Sequence, residues 1–356
     1  MSKLALVMIT LNEEAKIGRC IESAAPYVDE IVVADTGSTD RTREIALELG
    51  AKVFTYVWEN DFSAARNYAI SKSSADWILV MDADEWIEAL DVSGVSEFIQ
   101  KTGGVGRIEI KSIFKDSDIQ HTASDYISRL FPRSLRYKGR IHEQLNTSLP
   151  RYNVPILVGH DGYFSQRKSD RNVPLLLLEL QDHPDDPYYL YQLAKEYSGL
   201  DNGAESRNYF SKAYAALQGM ERFAPNVVTE YIYLLMKLKD YEAVLGILQR
   251  EHAWLRRFPD YHFACGVFYL DLVLSNPAQY MEYLPRIERS YRLCLEVGET
   301  ELYDSVKGTG SYAALYNLGN YYEVLGKAEQ AIQCYRNSAA MGYSKAGQRL
   351  IEMNEE

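Results

Sequence analysis

Two carboxylates one residue apart, Asp82 and Asp84, close the apolar run in "WILVMDADEW", residues Trp77 to Trp86. One Asp suffices to cap a turn at a strand end. Two on alternate positions of an extended or turning chain can face the same way and share one hard cation or the groups around it. Their oxygens suit Mg²⁺ or Mn²⁺. A divalent ion there could hold a diphosphate and neutralise the charge that builds up as it leaves. The competing reading is a pair of ordinary surface-turn residues.

Such a pair needs a strand to carry it, and the chain up to about residue 165 supplies several. The runs "KLALVMIT", "EIVVAD", "AKVFTYV", "DWILVMD", "GRIEIKSIF" and "VPILVGH" read as strands. Between the early ones, "NEEAKIGRCIESA", "TDRTREIALELG" and "DFSAARNYAISKS" carry apolar residues at helical spacing, with Asn12, Thr39 and Asp61 as N-cap or near-cap residues. Strands alternating with helices predict a mainly parallel α/β sheet of the nucleotide-binding kind. Ligands of such sheets bind beyond the carboxyl ends of the strands, where Asp82 and Asp84 fall. Thr10, Asn12 and Glu13 follow the first strand, and Asp35, Gly37 and Ser38 follow the second. Arg66 and Asn67 lie in the third helical pattern.

After "SQRKSDRN" the strand signals vanish, and Tyr- and Leu-rich helical segments are punctuated by "DHPDDP", "LDNG", "FAPN", "FPD" and "SNP". The stretch "ALYNLGNYYEVLGKAEQAIQCYRNSAAMGY" fits the tetratricopeptide pattern, with Leu318, Gly319, Tyr322, Ala331 and Tyr335 at the expected spacings. A looser copy starts at "YLYQLAKEYSG" and reaches Phe210 and Ala213; "TEYIYLLMKLKDYEAVLGIL" makes another helix pair. The expected organisation is a first domain over 1–168, a linker or helix over 169–185, and an all-α tetratricopeptide-like domain over 186–356. Each Tyr taken singly reads as core packing, whereas the stacked array offers a groove for an acceptor or for a homodimer partner.

The 356 residues are 47% hydrophobic and 25% charged, an ordinary globular composition, and twice the usual single-domain length. A formal net charge of -12 argues against nucleic acid or an anionic lipid surface as the main partner. Cys20, Cys265, Cys294 and Cys334 lie far apart with no C-x-x-C pair, and read as reduced thiols of a cytoplasmic protein. The apolar run after Lys3 reads as a first strand rather than a signal peptide. No stretch approaches the roughly 20 apolar residues of a membrane span, so no integral membrane segment is expected.

In order, spacing and strand-end placement, the four segments "LVMITLNEEAKIGRCIESA", "EIVVADTGSTD", "NDFSAARNYAI" and the D-x-D resemble the family-two inverting glycosyltransferases of the GT-A fold. The resemblance covers roughly the first 165 residues. It implies a nucleotide sugar in the sheet-end crevice, with base and ribose near Thr10, Asn12, Glu13, Asp35 and Arg66. It also implies Asp82 at ribose and metal, and Asp84 at metal and diphosphate. Thr36 departs from the second Asp common in relatives. Farther on, "ISRLFPRSLRYKGRIHEQL" and "LVGHDGY" resemble a branch that includes the glycocin S-glycosyltransferases and some lipopolysaccharide-core sugar transferases. By motif position the catalytic base falls on Glu143 and the remaining metal ligand on His160. His142 would touch phosphate or orient Glu143.

Inversion does require a base opposite the leaving diphosphate, and a carboxylate not engaged by metal can serve. Against these roles stand a surface or helix-start Glu at 143, a satisfied strand-end His at 160, and snorkelling Arg side chains in the basic "RLFPRSLRYKGR". The expected activity is transfer of a hexose from a UDP-sugar to a Cys, Ser or Thr side chain of a peptide or protein. The alternatives are a saccharide or lipid-linked glycan acceptor, and a binding scaffold whose GT-A domain is inactive.

Overall fold

The computed structural model describes residues 2–116, 119–160, 169–250, 253–300, 302–303 and 305–355. The chain divides into two compact units, Met1–Glu179 and Leu180–Glu356. Residue 168, where the sequence places the first domain's end, lies outside the described residues.

In the first unit the order is β1 (Leu4–Thr10), α1 (Ile17–Ala24), β2 (Glu30–Asp35), α2 (Thr42–Glu48), β3 (Lys52–Thr55), α3 (Phe62–Lys72), β4 (Trp77–Val80), β5 (Glu85–Leu90) and α4 (Val92–Lys101). It continues with β6 (Val105–Asp116), β7 (Ile119–Pro132), β8 (Tyr137–Lys138), β9 (Gln144–Leu145), β10 (Arg151–His160) and α5 (Ser169–Asp182). Eight strands form one sheet in the order β3-β2-β1-β4-β7-β6-β10-β5, and β8 pairs with β9 in a small hairpin. The first four strands are parallel, as are β6 and β10; β7 runs antiparallel to both of its neighbours, and β5 antiparallel to β10.

β4, and β1 up to Ile9, are apolar because both faces of the sheet are covered. Leu4, Leu6 and Met8 of β1, with Trp77, Leu79 and Met81, face a core shared with Ile17, Cys20 and Ile21 of α1 and Val95 and Phe98 of α4. Ala5, Val7, Ile78 and Val80 face the opposite core, which takes Ala69 and Ile70 of α3. The two-residue alternation that sorts these side chains has a consequence for the site. Asp82, next after Ile78 and Val80, falls on the α3 side.

Asp61 caps α3 as expected, accepting from the Ala64 N–H at 2.9 Å. Asn12 and Thr39 are not N-caps. Asn12 is left-handed (φ 56), the turn at Glu13 delays α1 until Ile17, and α2 starts at Thr42. The side chain of Asn12 instead accepts from the Thr39 N–H at 2.8 Å, tying the two strand-end loops together. The early runs did not reveal β5, β7, β8, β9 or α4.

The second unit is helical. It comprises α6 (Pro187–Gly199), α7 (Gly203–Ala216), α8 (Ala224–Lys237), α9 (Tyr241–Gln249), α10 (Pro259–Ser275), α11 (Pro277–Tyr280), α12 (Leu284–Val297), α13 (Tyr312–Val324), α14 (Ala328–Ala340) and α15 (Ser344–Glu355). Most helices adjacent in sequence pack on one another, α10 also packs on α8 and α12, and one core runs through the unit. Asp186, Asn202 and Asp240, from the polar punctuation of the sequence, cap α6, α7 and α9. Leu318, Tyr322, Ala331 and Tyr335 of the tetratricopeptide pattern are all buried. Among the described residues no helix is long and apolar enough to cross a membrane, and all four cysteines are free and buried.

Gly319 shows why that pattern needs a small residue. A Cβ there would lie 2.6 Å from Cε1 of Tyr335, on the facing helix. Gly319→Ala should therefore destabilise the helical unit by about 1–3 kcal/mol, despite the better helix propensity of Ala. Urea denaturation followed by helical circular dichroism checks it, and an unchanged midpoint refutes it.

Candidate active site at the end of the fourth strand

β4 ends at Val80, and a turn closed by Glu85 N–H donating to the Asp82 carbonyl (3.0 Å) carries the D-x-D directly into β5. Arg66, one turn into α3, reaches this point across the face it shares with Asp82. Its Nη2 lies 2.9 Å from Asp82 Oδ1 and its Nε lies 2.5 Å from Glu143 Oε1. Arg129 of β7 completes the cluster, with Nη2 2.8 Å from Asp82 Oδ2 and 3.6 Å from Glu85 Oε1. Leu130 faces the α1 core and Phe131 the α3 core, so alternation brings Arg129 to the α3 side as well.

Burial alone would raise the Asp82 carboxyl, but Arg129 and then Arg66 outweigh it and hold the group well below the usual carboxylate range. Burial likewise opposes charge on Arg66, and Asp82 and Glu143 more than restore it. Arg66 Nη1, Arg129 Nε and the Tyr137 hydroxyl are buried without a hydrogen-bond partner. These buried donors make the site polar well beyond its ion pairs.

Glu85 behaves oppositely. Burial is the main cause that pushes it up to about 7; Arg129 opposes and Asp82 reinforces the rise. Between about pH 4.5 and pH 7 the folded state thus keeps a proton that the unfolded state has released. Stability contributed by this proton is complete below about 4.5 and is lost as pH rises through 7, on the order of 3 kcal/mol. Glu85→Gln retains an acceptor for the Asp82 N–H, which now donates to Glu85 Oε2 at 2.8 Å. The substitution should flatten the fall in stability between pH 5 and pH 8. Urea melts in EDTA at both pH values test this; equal slopes in variant and parent refute it.

Asp84 and His160 form a second pair, with Oδ2 and Nε2 3.3 Å apart at the ends of the β4 turn and β10. Burial would raise Asp84, and the hydrogen bond from His160 more than reverses it. Burial and the nearby charge of Asp84 raise Glu13, which marks the β1 loop as a neighbour of this pair. The three-ligand set Asp82, Asp84 and His160 expected from the sequence is not assembled. Both oxygens of Asp82 engage guanidinium groups, and no group of three or more His, Cys, Asp or Glu side chains among the described residues is placed to hold a metal. Asp84 and His160 alone still fit an ion that takes one or two protein donors and completes its shell with water and substrate phosphate.

The remaining expected residues shape the loops. Asp35 is fully buried, and its carboxylate accepts from the N–H groups of Gly37 and Ser38 at 3.2 and 3.1 Å. Thr10 is buried with its hydroxyl unpartnered, while its carbonyl accepts from both the N–H and the hydroxyl of Thr36 at 2.9 Å. Asn12 donates its N–H to Ser38 Oγ at 2.9 Å. His142 is half-buried and left-handed (φ 51), one residue before Glu143. Asp125 is exposed on β7. Arg129 is the site residue that the sequence reading did not single out. Its signal was an Arg inside the strand-like run "YISRLF".

Residues 5–170 match the model of the family Glycosyl transferase family 2. The match spans nearly all of the first unit, Met1–Glu179. A TPR repeat-containing protein of Synechococcus elongatus is 32% identical over 211 residues, 54% of this chain and 52% of that one. The SPbeta prophage-derived glycosyltransferase SunS of Bacillus subtilis is 27% identical over 263 residues, 69% of this chain and 62% of its own. An uncharacterized glycosyltransferase of Rickettsia typhi is 28% identical over 246 residues, 67% and 76% of the two chains. The chain thus spans between about half and two thirds of the length of the first two relatives. The stretch matched by the family model contains the D-x-D, Arg66, Arg129, Glu143 and His160.

Proposed function

We propose that the protein is an inverting, metal-dependent glycosyltransferase that moves a hexose from a UDP-sugar to a Cys, Ser or Thr side chain of a peptide or protein. The observation that carries this reading is Glu143 held against Arg66 beside the D-x-D, with Asp84 paired to His160 at the same sheet end. Arg66 and Asp82 orient the donor, and the loops built by Thr10, Asn12, Glu13 and Asp35 form the nucleotide side of the crevice. His142 lies next to Glu143 and contacts phosphate or orients that carboxylate. Asp84 and His160 would hold Mg²⁺ or Mn²⁺, which supplies charge neutralisation for the departing diphosphate. Glu143 accepts the acceptor's S–H or O–H proton as the new bond forms at the anomeric carbon and the bond to diphosphate breaks on the opposite face. The tetratricopeptide-like helices and the likeness to the SunS glycosyltransferase support a peptide or protein acceptor.

The test incubates the purified chain with UDP-hexoses, Mn²⁺, unstructured peptides containing Cys, Ser or Thr, and simple glycans, with mass spectrometry of the products. Hexose on a peptide side chain, abolished by EDTA, is the expected result. Addition only to glycans overturns the acceptor assignment, full activity in EDTA overturns the metal, and no UDP-sugar turnover with any acceptor favours a binding scaffold.

A further inference from the structure

The buried side of α5 is chemically mis-sorted. Leu177 and Leu178 are exposed, whereas Glu179 is 4% exposed on the same side as Leu175 and Leu176. A buried carboxylate is tolerated only where something satisfies it. Here that group is the main chain of Arg140, whose N–H donates to Glu179 Oε1; Arg140 Nη1 lies 3.9 Å from the second oxygen. The Arg140 carbonyl in turn accepts from the Phe62 N–H, at the start of α3, at 2.8 Å.

This peptide belongs to the loop 139–143 between β8 and β9, which ends on Glu143. Two of its residues are left-handed, Gly139 at φ 94 and His142 at φ 51. A non-glycine residue keeps that conformation only where its surroundings hold it. Asn67 secures the loop's entry by donating Nδ2 to the Tyr137 carbonyl and accepting from the Tyr137 N–H, both at 2.9 Å. Glu179 secures its middle.

We propose that Glu179 is a positioning residue, fixing the 139–143 loop so that the Glu143 carboxylate stays on Arg66; this rests on Glu143 being the base. Glu179→Leu suits the helix face but removes the acceptor, and Glu179→Gln restores an acceptor without the charge. In the full chain, Glu179→Leu should speed hydrogen–deuterium exchange in peptides covering 137–146 by about 10-fold or more, with β1 peptides unchanged. It should also slow UDP release from UDP-glucose with Mn²⁺ and a Cys peptide about 10–100-fold, through kcat rather than the donor KM. Glu179→Gln should stay within about threefold of the parent, and in a Glu143→Gln background Glu179→Leu should add no more than about twofold. Unchanged loop exchange in Glu179→Leu, or an equal rate loss with and without Glu143→Gln, overturns the proposal. If the loop loosens while Glu143→Gln turns over at the parent rate, the tether stands and the base assignment falls.

Discussion

Glu143→Gln is expected to slow transfer about 10²–10⁴-fold while leaving the donor KM nearly unchanged. The amide keeps an oxygen for Arg66 Nε, now 2.5 Å from the carboxylate, so the guanidinium need not move. What the variant loses is the ability to take a proton, which matters only as the acceptor attacks. A hydroxyl acceptor should show the upper end of the range. A thiol should show the lower end, because its lower intrinsic pKa demands less of a base. Initial rates with matched Cys and Ser peptides read both. A variant that transfers at the parent rate refutes the assignment and moves attention to Glu85, which is buried, or Asp125, which is exposed.

The second large effect is on stability. Arg66→Met should cost the first unit about 3–5 kcal/mol, because it strips the cation from Glu143 in a poorly hydrated site and leaves Asp82 with Arg129 alone. Arg66 is 9% and Glu143 13% exposed at the side chain, whereas Asp82 retains 35%, so the larger part of the penalty falls on Glu143. In a Glu143→Gln background the same substitution should cost about 1–3 kcal/mol less, since the uncompensated charge is gone. Tryptophan fluorescence during urea denaturation reports mainly on the relevant unit, because Trp58, Trp77 and Trp86 lie in it and Trp254 lies in the other. Equal costs in both backgrounds would mean that Arg66 acts by packing rather than by charge.

Much of this architecture is local information. The apolar runs of β1, β2 and β4 were legible because a strand buried on both faces leaves no polar interruptions, and Asp82 and Asp84 were legible because they end such a run. The division into an α/β half and a helical half followed from the change of period, and Gly319 with Tyr335 from tetratricopeptide spacing. The N-caps were read less well: Asp61 caps a helix, but Asn12 and Thr39 bond to each other across two loops instead. A side chain that can cap its own helix can equally bond a loop brought near by folding, and sequence position does not distinguish the two.

By itself, the sequence determined the fold class, the strand ends that converge, and the residue types available there, because periodicity and turn chemistry are written within a few residues of each position. Only the tertiary structure decided how those residues are partnered. Inserting β7 antiparallel beside β4 brings Arg129 to Asp82 across 47 positions of sequence, and α3 brings Arg66 to Glu143 across 77. Those pairings place Asp82 between Arg66 and Arg129 and set Asp84 beside His160. Charge–charge contacts depend on register and on which face of the sheet a side chain occupies, and a shift of one residue would exchange the faces and dissolve them.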